Sequence, residues 1–288
     1  MPTQQSMKRR IDRTRDLQSV VGTMKALAAV SIRQYEKAAE SIDAFNQTVD
    51  LGLRVVLGSF AAAPHPPRDG GGRPAAVVVG SDQGMCGRFN EDAADYALDL
   101  FRREASGEVW RVVTVGERVA APLTASGHTV MQRFSAPGAA SGITPLVQAI
   151  LPVLGNTERL GTLLVVHNRH PSGASYEPAF ARLLPLDRRW IASFRSQPWP
   201  TNQLPTFRVE RDRLFAFLVR QHLFAAIYRA VAHSLSAENA SRLAAMQVAE
   251  KNIDERLNEL TETYHRLRQS TITSELLDIV SGFEALTG

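Results

Sequence analysis

Apolar and small residues recur along the first sixty positions at steps that alternate between four and three: Leu17, Val21, Met24, Ala28, Ser31, Tyr35, Ala38, Ile42, Phe45, Val49, Gly52 and Val56. That rhythm is a heptad seam, and it predicts a long helix with one face committed to another helix. Proline is absent from Thr3 to Ala63, and the helix is expected to end near Gly58, ahead of the breaker formed by Pro64, Pro66, Pro67 and Gly70-Gly71-Gly72. A second stripe lies at the other end: Leu223, Ile227, Val231, Leu235, Met246, Ala249, Ile253, Leu257, Leu260, Tyr264 and Leu267. From Thr206 to Ser281 there is neither Gly nor Pro. A helix of that length would run about 110 Å, whereas a globule of this chain length has a radius of gyration of about 19 Å. Part of it is therefore expected to project and to need a partner. Two striped ends flanking one insert make an antiparallel coiled coil the natural pairing.

The middle has another texture. Ala75 to Val79 reads as a buried strand, Glu91 to Arg103 as an amphipathic helix, Val109 to Val115 as a strand, Glu117 to Ser126 as a helix despite Pro122, 143–155 as a helix and Leu160 to His167 as a strand. Strands alternating with helices predict a Rossmann-like α/β domain with a mainly parallel sheet. Residues 171–205, with six prolines, are expected to hold a strand or hairpin plus loops. The expected organisation is α/β in class: an N-terminal coiled-coil helix over 1–60, an α/β globular domain over 74–200 and a C-terminal coiled-coil helix over 206–288.

Composition narrows this picture. At 44% hydrophobic and 22% charged residues the chain is a folded protein rather than a disordered one. Its one cysteine, Cys86, excludes an intrachain disulfide. Uninterrupted apolar runs such as Leu214 to Val219 fall short of the roughly 18 residues of a membrane span. The expectation is a cytoplasmic protein with at most peripheral membrane association. Lys8, Arg9, Arg10, Arg13 and Arg15 make the first turns basic, but Asp12 and Asp16 interrupt them and no aromatics are interleaved, so a nucleic-acid arm is not expected.

Candidate chemistry is sparse. Gly80-Ser81-Asp82-Gln83-Gly84-Met85-Cys86-Gly87-Arg88-Phe89-Asn90 follows the first strand, where α/β folds often bind phosphates. It contains no G-x-G-x-x-G, and G-x-x-x-x-G-K-[ST] occurs nowhere in the chain. Cys86 as a nucleophile would need His128, His167 or His170 as its base. His167-Asn168-Arg169-His170 lacks the i, i+4 spacing and nearby carboxylate of a metal site. No cofactor and no metal are expected. The alternatives left open are an α/β nucleotide-binding enzyme using the Gly80 to Asn90 loop and a coiled-coil scaffold.

Three stretches point further. Ser236-Ala237-Glu238-Asn239-Ala240-Ser241-Arg242-Leu243-Ala244-Ala245-Met246 continues to Arg268-Gln269-Ser270-Thr271-Ile272-Thr273-Ser274-Glu275-Leu276-Leu277-Asp278-Ile279-Val280-Ser281-Gly282. This is similar to the S-E-x-A-A-R-M-x-A-M and R-Q-x-x-I-T-x-E-[LI]-x-E-I-[VI]-x-G pattern of the gamma subunit of F-type ATP synthases. Ser81-Asp82 through Gly84, Cys86, Gly87 and Asn90 resembles that family's S-D-x-G-L-C-G-x-[LFY]-N, and Gln18 with Met24 to Ala29 resembles its N-terminal motif. The resemblance covers both ends and the domain core, with residues 130–205 contributing little.

The resemblance implies a non-catalytic central-stalk rotor subunit. Its partners would be the alpha and beta subunits of the catalytic ring, the epsilon subunit and the membrane c-ring, on the cytoplasmic face of a bacterial plasma membrane. It also implies subunit contacts at Arg268, Gln269, Thr273 and Glu275, an apolar tip at Ile279, Val280 and Phe283, and contacts near the beta levers from Met24, Lys25 and Arg33. Asp82, Gly84, Cys86, Gly87 and Asn90 would belong to the globular-domain loop. Where the family has a second Met followed by Val-Ala-Ala-Ser-Lys, this chain has Ala26 to Ser31, which marks a divergent branch.

Overall fold

The computed structural model describes residues 3–58, 72–105, 107–155, 160–171, 176–186, 199 and 205–287. Its elements in chain order are α1 (Gln4–Gly58), β1 (Arg73–Val79), α2 (Phe89–Glu104), β2 (Arg111–Val115), α3 (Ala120–Ala125), β3 (Thr129–Phe134), α4 (Ile143–Gly155), β4 (Leu160–Arg169), β5 (Glu177–Leu184) and α5 (Arg211–Thr287). The proline- and glycine-rich stretch after Gly58 lies outside the described residues up to position 71, as does most of 187–204. Gly282 does not stop the last helix, which continues through it to Thr287.

Two compact units divide the chain: residues 1–28 with 243–288, and residues 29–242. In the first, α1 and α5 run antiparallel. Gln18 Nε2 donates to Asp254 Oδ1 at 2.5 Å and Lys25 Nζ to Glu250 Oε2 at 2.5 Å, so the partner number falls as the α1 number rises. Met7 and Ile11 of α1 close an apolar cluster with Leu260, flanked by Leu257, Tyr264 and Leu267. Gln18, half-buried, takes the inward place that the heptad reading gave to Leu17, which is 57% exposed.

The second unit is built on a five-stranded sheet in the order β3-β2-β1-β4-β5. β1 pairs in parallel with β2 (Val77 opposite Val113) and with β4 (Val77 opposite Val165), β2 pairs in parallel with β3, and β5 closes one edge antiparallel to β4. Successive side chains of a strand point to opposite faces, and here both faces are covered. Ala76, Val78, Val112, Leu164 and Val166 pack under α2 and α3, against Ala93, Ala97, Phe101 and Leu123. Val77, Val79, Val113, Val115 and Val165 face α4 together with Tyr35 and Ala39 of α1 and Ile227, Val231 and Leu235 of α5. A strand buried on both faces reads as an unbroken apolar run, which is why Ala75 to Val79 stands out in the sequence. Within this unit α1 and α5 are again antiparallel: Arg229 Nε lies 2.7 Å from Asp43 Oδ1, and His222 pairs with Asp50.

α5 also contains an 18-residue window of mean hydropathy 1.3 that passes for a membrane span by length and composition, with 22% of it buried in the fold. Length and composition are all that this window satisfies, and the uninterrupted apolar runs of the chain remain shorter than a membrane span.

Candidate functional site

Two stretches of α5, both within the motifs quoted above or adjoining them, contrast in burial. In the unit of residues 29–242, Ser234 to Arg242 are nine consecutive buried residues. A helix on a surface buries one stripe; burial all round means that the helix is sleeved. The loop that follows β1 forms part of the sleeve, meeting α5 at Ala237 and Ser241.

The backbone of that loop turns through left-handed conformations at Met85 (φ 61°) and Gly87 (φ 62°), which bracket Cys86. The Cys86 carbonyl accepts a hydrogen bond from Ser241 Oγ at 2.6 Å. Cys86 and Phe89 pack with Ala237, and Tyr176 sits edge-on to Phe89 with ring centroids 5.3 Å apart. Asp82 is consumed by the fold: its two carboxylate oxygens accept from the backbone N–H of Glu117 at 3.0 Å and of Ala136 at 2.9 Å. Asn90 Oδ1 accepts from Ser81 N at 2.8 Å, and Asn90 Nδ2 donates to Ser81 Oγ at 2.9 Å. At Gly116 (φ 92°) a Cβ would lie 2.6 Å from Ser81 N, so glycine there lets the turn after β2 close on the loop. Gly84 lies against Arg118, whose guanidinium would be 3.1 Å from an added Cβ.

These arrangements do not suit a phosphate. The first turn of α2 carries Glu91 and Asp92, carboxylates that occupy the positive end of the helix where an anion would sit. Asp92 accepts further from Tyr176 Oη at 2.7 Å. Nor is Cys86 an activated thiolate. Its thiol lies 3.8 Å from Ser81 Oγ and 3.7 Å from the Gln83 carbonyl, and burial raises its pKa rather than lowering it. Of the imidazoles considered as its base, His128 accepts from the backbone of Trp110, and His167 stacks on His233 of α5 with centroids 6.2 Å apart. Burial lowers the His167 pKa to about 3, with the neighbouring His233 and Arg169 acting in the same direction. Among the described residues no cluster of three or more His, Cys, Asp or Glu could hold a metal ion.

The sleeved segment also holds an ion pair between two residues of the C-terminal motif. Arg242 Nη2 donates to Glu238 Oε1 at 2.6 Å, one helical turn apart, with both side chains nearly buried. Desolvation raises the Glu238 pKa, and Arg242 opposes that shift.

The unit of residues 1–28 with 243–288 has the opposite character at its end. Residues 272–283 are twelve consecutive exposed positions, among them Ile272, Leu276, Leu277, Ile279, Val280 and Phe283. Arg268, Gln269 and Glu275 are exposed on the same helix, and Thr273 Oγ1 returns a hydrogen bond to the Gln269 carbonyl at 2.9 Å. Of the three α1 residues, Arg33, in the larger unit, is exposed, Met24 is half-buried, and Lys25 is engaged by Glu250. An exposed run this rich in large apolar groups marks a surface that is covered in an assembly.

The family model for ATP synthase matches residues 3–286. The ATP synthase gamma chain of Granulibacter bethesdensis is 29% identical over 299 residues, covering 99% of this chain and 100% of that one. The gamma chain of Bdellovibrio bacteriovorus is 28% identical over 309 residues, covering all of both. In fold, the chain is similar to the rotor of the Euglena gracilis mitochondrial ATP synthase (TM-score 0.61, 16% identity, covering 93% of this chain and 98% of that one). A second structure of that enzyme, comprising OSCP, F1 and c-ring, contains a similar chain at TM-score 0.64 and 18% identity, covering 98% of this chain and 94% of that one. With a sleeved helix where a ligand would sit, an apolar helix end left open, and a match that runs almost from end to end, the chain belongs to the ATP synthase family that includes these gamma chains.

Proposed function

We infer that this protein is the central-stalk rotor subunit of a rotary ATP synthase, coupling ion flow through a membrane ring to conformational change at catalytic beta subunits. Its partners are the alpha and beta subunits of the catalytic ring, the epsilon subunit and the c-ring. The chain itself is non-catalytic and sits at the cytoplasmic face of a bacterial plasma membrane, bound there through the complex. The observation that carries this reading is the exposed apolar end of α5 at residues 272–283, on a chain whose relatives are gamma chains over their full length.

The physical chemistry suits a shaft. Burying a Leu, Ile or Phe side chain contributes about 1.5–3 kcal/mol, and that attraction is non-directional, so an aliphatic tip can be held in a collar and still turn. Arg268 and Gln269 supply directional hydrogen bonds, which favour one angular position over another. Torque then acts by differential contact free energy: each beta subunit meets a different face of the helix pair, and the face it meets selects its conformation and nucleotide affinity. The sleeve around Ser234 to Arg242 has no part in nucleotide binding.

Coexpression with alpha and beta subunits tests this reading. The expected result is a stable complex containing one copy of this chain for three of each, as a single shaft in a threefold ring requires. Failure to assemble, or tight binding of ATP by the isolated chain, would refute it.

A further inference from the structure

In a doubly wound sheet the natural ligand crevice lies beyond the carboxyl ends of the strands, at the point where the strand order reverses. Here the order β3-β2-β1-β4-β5 reverses at β1, so the crevice lies between the ends of β1 and β4. It is filled by the chain's own helix. The loop after β1 reaches α5 through the Ser241 Oγ bond to the Cys86 carbonyl and through Cys86 and Phe89 against Ala237. The end of β4 reaches α5 through His167 on His233, and Asn168 Nδ2 ties β4 to the loop by donating to the Phe89 carbonyl at 2.9 Å. On α5 the residues that meet the loop, Ala237 and Ser241, are small, and Ser234, Ser236 and Ala240 around them are small and buried as well. Small side chains let the loop backbone approach the helix axis, which a stripe of Leu or Ile would prevent.

We propose that this filled crevice is a torsional clasp, in which the loop of residues 81–90 and the end of β4 grip α5 so that the α/β body and the helix turn as one piece. The proposal rests on the rotor reading above and assigns Phe89 and Ser241 as positioning residues for torque transfer. The interdigitated apolar contacts of α5 with the sheet and α1 already resist rotation. The Ser241 hydroxyl on a loop carbonyl adds a directional contact that opposes rotation, and it lies far along α5 from Arg268 and Gln269.

The test uses the assembled complex with its alpha–beta ring immobilised and a probe fixed to the α/β body, for example through Arg102→Cys. Three variants are compared with wild type: Ser241→Ala, Ser241→Thr and Phe89→Ala. Loss of one buried hydrogen bond is expected to raise backbone exchange at Ser81 by roughly fivefold, the factor that corresponds to about 1 kcal/mol. It should also widen the angular fluctuation of the stalled rotor and lower the number of ions moved per ATP, while the ATPase turnover of the detached ring with this chain stays unchanged. Phe89→Ala should do the same more strongly, and Ser241→Thr should restore wild-type behaviour. Should Phe89→Ala fail to assemble, Ser241→Ala decides the matter. Angular fluctuation and ion-to-ATP ratio that stay at wild-type values while Ser81 exchange rises would overturn the clasp and leave the rotor reading standing. Failure of the wild-type chain to assemble with the ring would sink the rotor reading itself.

Discussion

One helix carries both a fully enclosed and a fully open segment, and their chemistry is the reverse of what burial usually selects. Ser234 to Arg242 contains six polar or charged residues besides Leu and Ala and is buried throughout; 272–283 contains six large apolar residues and is exposed throughout. In the first segment, small side chains allow close approach by the loop, Ser241 Oγ bonds the Cys86 carbonyl, and Glu238, Asn239 and Arg242 bond within the helix itself. In the second, large apolar groups stay in water, as the proposed contact with the alpha–beta ring requires. Hydrophobicity predicts burial in the final assembly rather than in the isolated subunit.

The comparison breaks most easily in the sleeve. Arg242→Ala leaves the Glu238 carboxylate buried without its partner and is expected to destabilise the full-length chain by about 3–5 kcal/mol in denaturant unfolding. Replacing both residues with apolar side chains of similar volume should cost much less, since the pair itself is expensive to desolvate. Equal losses from the single and double changes would contradict the assignment of a buried pair.

Acid is the next lever. His167 is held neutral, with its folded pKa near 3 against 6.5 for the unfolded chain. Below 6.5 the unfolded state takes up a proton that the folded state refuses, so stability is fully present above that pH and falls as pH drops toward 3, at about 1.4 kcal/mol per pH unit. His167→Phe should flatten that slope between pH 6 and pH 4, read as the pH dependence of Tm. Asp82→Ala, which strips acceptors from the Glu117 and Ala136 amides, should cost about 1–3 kcal/mol.

The open segment should behave oppositely. Ile279→Ser and Phe283→Ser are expected to change unfolding by no more than about 0.5 kcal/mol, yet to weaken retention by the alpha–beta ring. Replacing Arg268 and Gln269 together by Ala should lower ATPase turnover of the complex without changing the Tm of the free chain. Unchanged turnover would remove these two residues from the proposed contact.

Legibility followed the same divide. Strands β1, β2 and β4 announce themselves because both faces are apolar, and the parallel sheet follows from their alternation with helices. β3 escaped because Thr129 to Phe134 is an edge strand whose residues are all exposed or half-buried, leaving no clean period. In α1 the heptad reading placed Leu17 and Phe45 inward, whereas the buried stripe runs through Met7, Ile11, Ala28, Tyr35, Ala39, Ile42, Val49, Leu53 and Val56. A seam read from apolar residues alone cannot register Gln18, whose amide bonds Asp254 across the helix pair. The sleeve was invisible to periodicity for a related reason: its enclosure depends on Ser241 and Asp82 finding partners far away in sequence. The motif resemblance flagged those residues; only the fold supplies what they do. The apolar tip at Ile279, Val280 and Phe283 came from the motif resemblance, and the fold adds that these residues are exposed in the free chain.

The most direct measurement compares the two segments before and after assembly. In a chain carrying Phe283→Cys, the native Cys86 is buried, so maleimide reports on the introduced thiol, while backbone exchange reports on Ser234 to Arg242. The expected result is rapid labelling at position 283 in the free chain, strong protection once the alpha and beta subunits are bound, and no change in exchange at the sleeve. Labelling at position 283 that is equally fast in the free chain and in the complete complex would contradict the assignment of this helix end as the part held by the ring.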